Sequence, residues 1–240
     1  MSAKVIVTAG CSFSTVEQQT RTWPFFLQEQ TQIPTIYSGR ISVGNGFISR
    51  SAIYHLTKAL ETHQAQDILL GIMWSGRSRF EYFYERSPLY SDKNNVRTMI
   101  ENPYYKITNT GWSDDASVWL AKLLSDDIGS TILTIEHILR VQYFCKLHNI
   151  KYFMTEFYKD AVLPKDEKIL KHHEVEYLYK QIDFNNFLPI DNMFDWCLQS
   201  GITLDEHHLK YQHPTQEHHK AFVNQVVIPF LIDRGYLNDT

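Results

Sequence analysis

The chain has 240 residues, 43% hydrophobic and 21% charged, with a formal net charge of -4 at pH 7. This is an ordinary globular composition. It is long enough for one well-buried domain without forcing a second, and without the block of like charge that a nucleic-acid-binding surface would show. The longest apolar runs, such as 226–232, are too short to cross a bilayer, and the three cysteines Cys11, Cys145 and Cys197 form no CxxC pair, which points away from a disulfide framework or zinc knuckle and toward a reducing compartment.

Residues 4–8 are a β-branched run that ends in Ala9-Gly10, a strand followed by a sharp turn. No small-residue cleavage site follows the run, so it reads as a buried first strand and not as a signal peptide. Residues 23–32 are expected to form a short helix, with Pro24 tolerated in its first turn, and 35–37 a second short strand. The loop 38–46 carries three glycines. Apolar residues at Phe47, Ile48, Ala52, Ile53, Leu56 and Leu60 then follow helical spacing over 47–61. Residues 67–74 (Asp-Ile-Leu-Leu-Gly-Ile-Met-Trp) form a continuous apolar run, the signature of a parallel strand buried on both faces.

The stretch 76–115 is polar and aromatic with little periodicity, and reads as a long surface excursion. Helices are expected at 117–124 and 131–147, and a further buried strand at 150–154. A second polar, aromatic excursion spans 158–192. A short helix at 194–200 is ended by Gly201, and a long C-terminal helix over 216–234 is interrupted or ended near Pro229. Strands alternating with helices imply an α/β fold with a parallel sheet covered on both sides, and ligands bind such sheets at the carboxyl ends of the strands. There is no repeat, low-complexity segment or linker, so 1–240 is read as a single domain.

Four segments can carry chemistry. Gly10-Cys11-Ser12-Phe13-Ser14 places a serine on a turn straight after a strand. A hydroxyl can attack an acyl group there while nearby backbone amides hold the oxyanion, although a serine in that position equally serves as a helix N-cap. Gly44-Asn45-Gly46 offers inward-turned amides and a side-chain amide, or an ordinary Asn-Gly turn. Trp74-Ser75-Gly76-Arg77-Ser78-Arg79 follows the best buried strand and can supply donors, or an anion contact through an arginine. Near the C-terminus His207, His208, His213, His218 and His219 cluster among Asp205, Glu206 and Glu217. Histidine is the usual general base near neutral pH. The cluster also raises a metal-dependent hydrolase as an alternative, but the spacing matches no recognised ligand pattern, so no metal or other cofactor is expected. His213-Pro214 stands apart, because proline keeps His213 out of helix and in a loop before the last helix.

In this order the four segments resemble the blocks of the SGNH/GDSL hydrolase superfamily. Gly10-Cys11-Ser12-Phe13-Ser14 looks like block one with Cys11 replacing the usual aspartate, Gly44-Asn45 like block two, Gly71-Ile72-Met73-Trp74-Ser75 like block three, and His213-Pro214-Thr215 like block five. The chain is also similar to a phage- and bacterium-associated branch with Gly-Cys-Ser-Phe in block one and Trp-Ser followed by an arginine. The resemblance implies a three-layer α/β/α sandwich with a mostly parallel, flavodoxin-like sheet. It implies a serine esterase acting on acyl or O-acetyl esters of small molecules or carbohydrate. Charge and apolar-run length argue against a nucleic-acid or membrane partner, and without an evident signal peptide the protein is expected in the cytoplasm or associated with a virion. Ser12 would attack and His213 would act as base. Ser12, Gly44, Asn45 and Ser75 would supply oxyanion donors.

The sequence departs from that pattern at two places. Lys210 stands where the orienting aspartate should be, so Asp205 or Glu206 would have to reach His213, or Asp205 pairs with His208 at the same Asp-x-x-His spacing. Block three has no asparagine. Both departures suit a non-catalytic binding module on the same fold. The aromatic stretches 80–90 and 177–187 either form a sugar-stacking groove or pack the long loops onto the sheet.

Overall fold

The structure is a computed structural model and describes residues 3–16, 21–79, 81–83, 105–107, 126–159, 162–204, 206 and 213–238. Its strands are β1 (Val5–Gly10), β2 (Thr35–Tyr37), β3 (Ile68–Trp74), β4 (Glu81–Phe83), β5 (Tyr105–Ile107) and β6 (Lys151–Glu156). The β4–β5 pair is antiparallel. The other four form a parallel sheet in the order β2-β1-β3-β6. This is the strand order of a flavodoxin-like doubly wound sheet. A single parallel bridge from Met154 to Phe187 stands where a fifth strand would lie.

The helices are α1 (Trp23–Thr31), α2 (Asn45–Leu60), α3 (Asp127–His148), α4 (Glu167–Leu170), α5 (His173–Tyr179), α6 (Met193–Gln199), α7 (Gln216–Phe222) and α8 (Ile228–Asp233). On one face α2 and α3 pack together, with α2 against β1 and β3; elsewhere α1 packs on α7. Every residue of β1 and β3 is buried, as a strand covered on both faces requires. Gly71 shows how close the α1 layer comes. A side chain there would strike the rings of Phe153 and Trp23, which meet edge to face at 5.8 Å. The fold is therefore the α/β three-layer sandwich with a parallel sheet that the sequence implies.

The 158–192 excursion contains α4, α5 and a 3-10 turn at Phe184–Asn186. These elements are too short for a helical period to stand out in a polar stretch. The C-terminal helix is interrupted near Pro229, as expected, by a π segment at Val223–Val227 between α7 and α8. Pro229 cannot donate to the carbonyl of Gln225, and its ring crowds that carbonyl, so the helix widens in the turn before it. The helix expected at 117–124 lies outside the described residues.

Candidate active site

The strand register aligns Gly10 with Met73, and Met73 with Thr155. The segments leaving β1, β3 and β6 therefore emerge side by side, at Cys11-Ser12, Trp74-Ser75 and Glu156-Phe157. Because β2 and β3 lie on opposite sides of β1, the chain leaves β1 at the topological switch point, where such sheets form their binding crevice.

Ser12 opens a 3-10 turn, Ser12–Ser14, preceded by Cys11. The first N–H groups of such a turn have no partner within it. The turn is fixed from several directions. The Ser14 amide donates to the Cys11 carbonyl at 2.8 Å, the Thr15 hydroxyl to the same carbonyl at 3.2 Å, and the Trp23 indole to Ser14 Oγ at 2.9 Å. Two glycines make room for it. A Cβ at Gly39 would collide with the Ser14 carbonyl, and one at Gly10 with the Ser14 side chain and, at 2.9 Å, the Met73 carbonyl. The Arg40 amide closes the adjacent loop onto the Gly10 carbonyl at 3.0 Å.

Ser12 Oγ lies 2.9 Å from Nε2 of His213. For the hydroxyl to donate, Nε2 must be the unprotonated nitrogen and Nδ1 must carry the hydrogen. The His213 ring leans on Phe13, centroids 5.0 Å apart. Phe13, 1% exposed, meets Phe157 edge to face at 5.4 Å. His213 is exposed, Pro214 is buried, and Ser12 is half-buried. Thr215 then caps α7 by accepting from the His218 amide, so the helix start fixes the loop that carries the imidazole.

Asn45 and Ser75 form a closed pair. The Asn45 amide nitrogen donates to the Ser75 carbonyl at 2.9 Å and to Thr134 Oγ1 at 3.3 Å, and its oxygen accepts from the Ser75 amide at 2.8 Å. All the hydrogen-bonding groups of that side chain are engaged inside the fold. Ser75 is wholly buried, and its hydroxyl accepts from Arg79 Nη1 at 2.7 Å. Gly44 immediately precedes α2.

His218 and His219 hold structure. His219 Nδ1 accepts from the Trp23 amide at 3.2 Å, filling a free amide at the start of α1. Burial, with His218 and His213 adjacent, lowers its pKa to about 3, so the ring is neutral. His218 Nδ1 meets the Thr215 hydroxyl at 2.7 Å and Nε2 meets the Ile202 carbonyl at 3.2 Å, which ties the 200–204 segment to α7. No group of three or more His, Cys, Asp or Glu among the described residues could hold a metal ion, and no helix among them is long and apolar enough to cross a membrane. Asp205, His207, His208 and Lys210 lie outside the described residues; Glu206 is exposed. Of the two aromatic stretches, 80–90 lies largely outside the described residues. In the other, Tyr179, Phe184 and Phe187 stack at 5.0 and 5.3 Å. The sequence reading missed the Phe13 support, the Trp23–Ser14 bond and the Arg79–Ser75 bond. The first two are tertiary contacts and the third is local to one loop, and periodicity carries none of them.

No protein-family model matches the chain, and neither does any curated protein sequence. Among solved structures the chain is similar to a protein from Desulfitobacterium hafniense DCB-2 described as a lipolytic protein of the G-D-S-L family, with a TM-score of 0.48 and 13% identity over 92% of this chain and 96% of that one.

Proposed function

We propose that the protein is a serine esterase of the SGNH/GDSL type that cleaves an acyl or O-acetyl ester of a small molecule or carbohydrate. The observation that carries this reading is the 2.9 Å contact between Ser12 Oγ and His213 Nε2 at the carboxyl edge of the sheet. In the first step His213 Nε2 takes the hydroxyl proton as Ser12 Oγ bonds to the ester carbonyl carbon. The tetrahedral intermediate expels the alkoxide, which leaves with that proton as an alcohol. Water, deprotonated by the same imidazole, then releases the acid and restores Ser12. The backbone amides of Ser12 and Gly44 are the oxyanion donors. The side chains of Asn45 and Ser75 act behind them, holding the α2 and β3 loops in register, and Asp205 orients the His213 ring.

The engaged Asn45 amide favours one rival reading, a binding module that uses the same crevice without turnover. A fluorophosphonate probe separates the two. Covalent labelling of the wild-type protein, lost in Ser12→Ala and accompanied by p-nitrophenyl acetate hydrolysis, supports the esterase. No labelling and no turnover leaves the binding module.

A further inference from the structure

We propose that the Arg79 guanidinium is a subsite for an anionic group of the substrate (a carboxylate, phosphate or sulfate) beside Ser12. This rests on the esterase reading above. Arg79 follows β3 on the loop that begins with Ser75, and the strand register places the start of that loop beside the segment that carries Ser12. Its Nη1 donates to the buried Ser75 hydroxyl at 2.7 Å, and its guanidinium lies over the face of Phe157, 5.3 Å from the ring centroid. Phe157 in turn touches Phe13 at 5.4 Å, and Phe13 touches His213 at 5.0 Å. A continuous chain of aromatic contacts therefore joins this cation to the proposed base.

The electrostatics of Arg79 are unfinished. It is half-buried, yet among the described residues its partners are a neutral hydroxyl and an aromatic face. Its neighbour Arg77 has a carboxylate, Asp127, at 3.2 Å. A guanidinium taken partly out of water without a counter-charge carries a desolvation cost that a ring face offsets only in part. An arginine has five N–H donors in a fixed plane. Ser75 occupies one, and the Phe157 ring lies against the guanidinium. What remains is a preset fork that matches the paired oxygens of a carboxylate, phosphate or sulfate. An ester that brings its own negative charge would supply the missing partner and be fixed in orientation relative to Ser12.

The test compares kcat/KM of the wild type, Arg79→Met and Arg79→Lys on three esters. These are neutral p-nitrophenyl acetate, p-nitrophenyl hemisuccinate with a carboxylate on the acyl side, and 8-acetoxypyrene-1,3,6-trisulfonate with its charge on the alcohol side. The wild type is expected to favour one charged ester over the neutral one, and the ester it favours reports the side on which the anion sits. In Arg79→Met that charged-to-neutral ratio should fall about 10–100-fold, the worth of a charge-assisted pair, and Arg79→Lys should retain part of it. A merely structural arginine would lower all three rates together and leave the ratio in place, which would overturn the proposal, as would a wild type with no preference. If fluorophosphonate labelling of Ser12 fails, the esterase reading falls separately. Fluorescence anisotropy of 8-hydroxypyrene-1,3,6-trisulfonate then decides: binding lost in Arg79→Met sustains the subsite, and equal or absent binding removes it.

Discussion

Ser12 Oγ and His213 Nε2 meet at 2.9 Å although 201 positions separate them in the chain. One comes from the turn after the first strand and the other from the loop before α7, so the pair exists only when both ends of the chain are folded together. Ser12→Ala is expected to abolish labelling and hydrolysis. His213→Ala should lower kcat by about 1,000-fold or more with the fold retained, because removing a general base leaves only binding and oxyanion stabilisation. Circular dichroism of both variants beside their kinetics checks this. Wild-type turnover in His213→Ala would exclude the imidazole as base.

Gly39 should tolerate no side chain. A Cβ there meets the Ser14 carbonyl, which belongs to the backbone and cannot swing aside. Gly39→Ala is expected to push the Ser12–Ser14 turn away from His213, to cost about 1–3 kcal/mol as overpacking does, and to reduce turnover more than stability. Thermal unfolding paired with kcat/KM measures both effects. A variant as active and as stable as the parent would contradict the close approach.

Asn45→Ala removes three hydrogen bonds and leaves the Ser75 amide buried without an acceptor. The expected loss is about 2–3 kcal/mol, which lowers Tm by roughly 4–12 °C in a chain of this size. Differential scanning calorimetry reads it directly. A shift under one degree would show that the pair contributes little.

Two histidines, His219 buried and His137 half-buried, set a lower pH limit on stability. Burial, with Arg140 and Arg50 nearby, lowers His137 to about 4, and His219 sits at about 3, both from an ordinary value of 6.5. Below about pH 6.5 the unfolded chain binds protons at these rings while the folded chain does not. Their contribution is therefore complete above pH 6.5 and is lost progressively as the pH falls toward 4 and then 3. Each contributes a slope of about 1.4 kcal/mol per pH unit through that window. Urea unfolding at pH 7.5 and pH 5.5 should give a lower midpoint at the acid end. His137 Nδ1 is buried without a hydrogen-bond partner, so His137→Leu should flatten the pH dependence and leave stability at pH 7.5 equal or higher. An unchanged slope in that variant would assign the acid sensitivity to other groups.

The four strands of the parallel sheet were legible because each is a short apolar run bounded by turn residues, whereas β4 and β5 lie in the stretch read as a surface excursion. β2 matches its expected limits, and β3 begins one residue inside them. Ser12 and His213 were legible one at a time, from the strand before the serine and the proline after the histidine. Two tertiary contacts and one helix irregularity were not. The Asn45 amide reads as a possible donor until Ser75 is seen occupying it, a pairing across 30 positions. His219 reads as a candidate ligand until its ring is found on the Trp23 amide. The π segment at Val223–Val227 arises from how a helix accommodates Pro229, which a residue period averages away.

The bridge from Met154 to Phe187 has a consequence for how the molecule meets its own copies. The outer side of β6 would otherwise present a row of unsatisfied backbone groups to solvent. Phe187 pairs with Met154 at mid-strand, and the Leu188 amide donates to the Met154 carbonyl at 2.9 Å. At the opposite margin β2 is three residues long. One border of the parallel sheet is thus blocked at its centre and the other is too short to template a partner, so neither margin of that sheet offers a long open edge to a second copy.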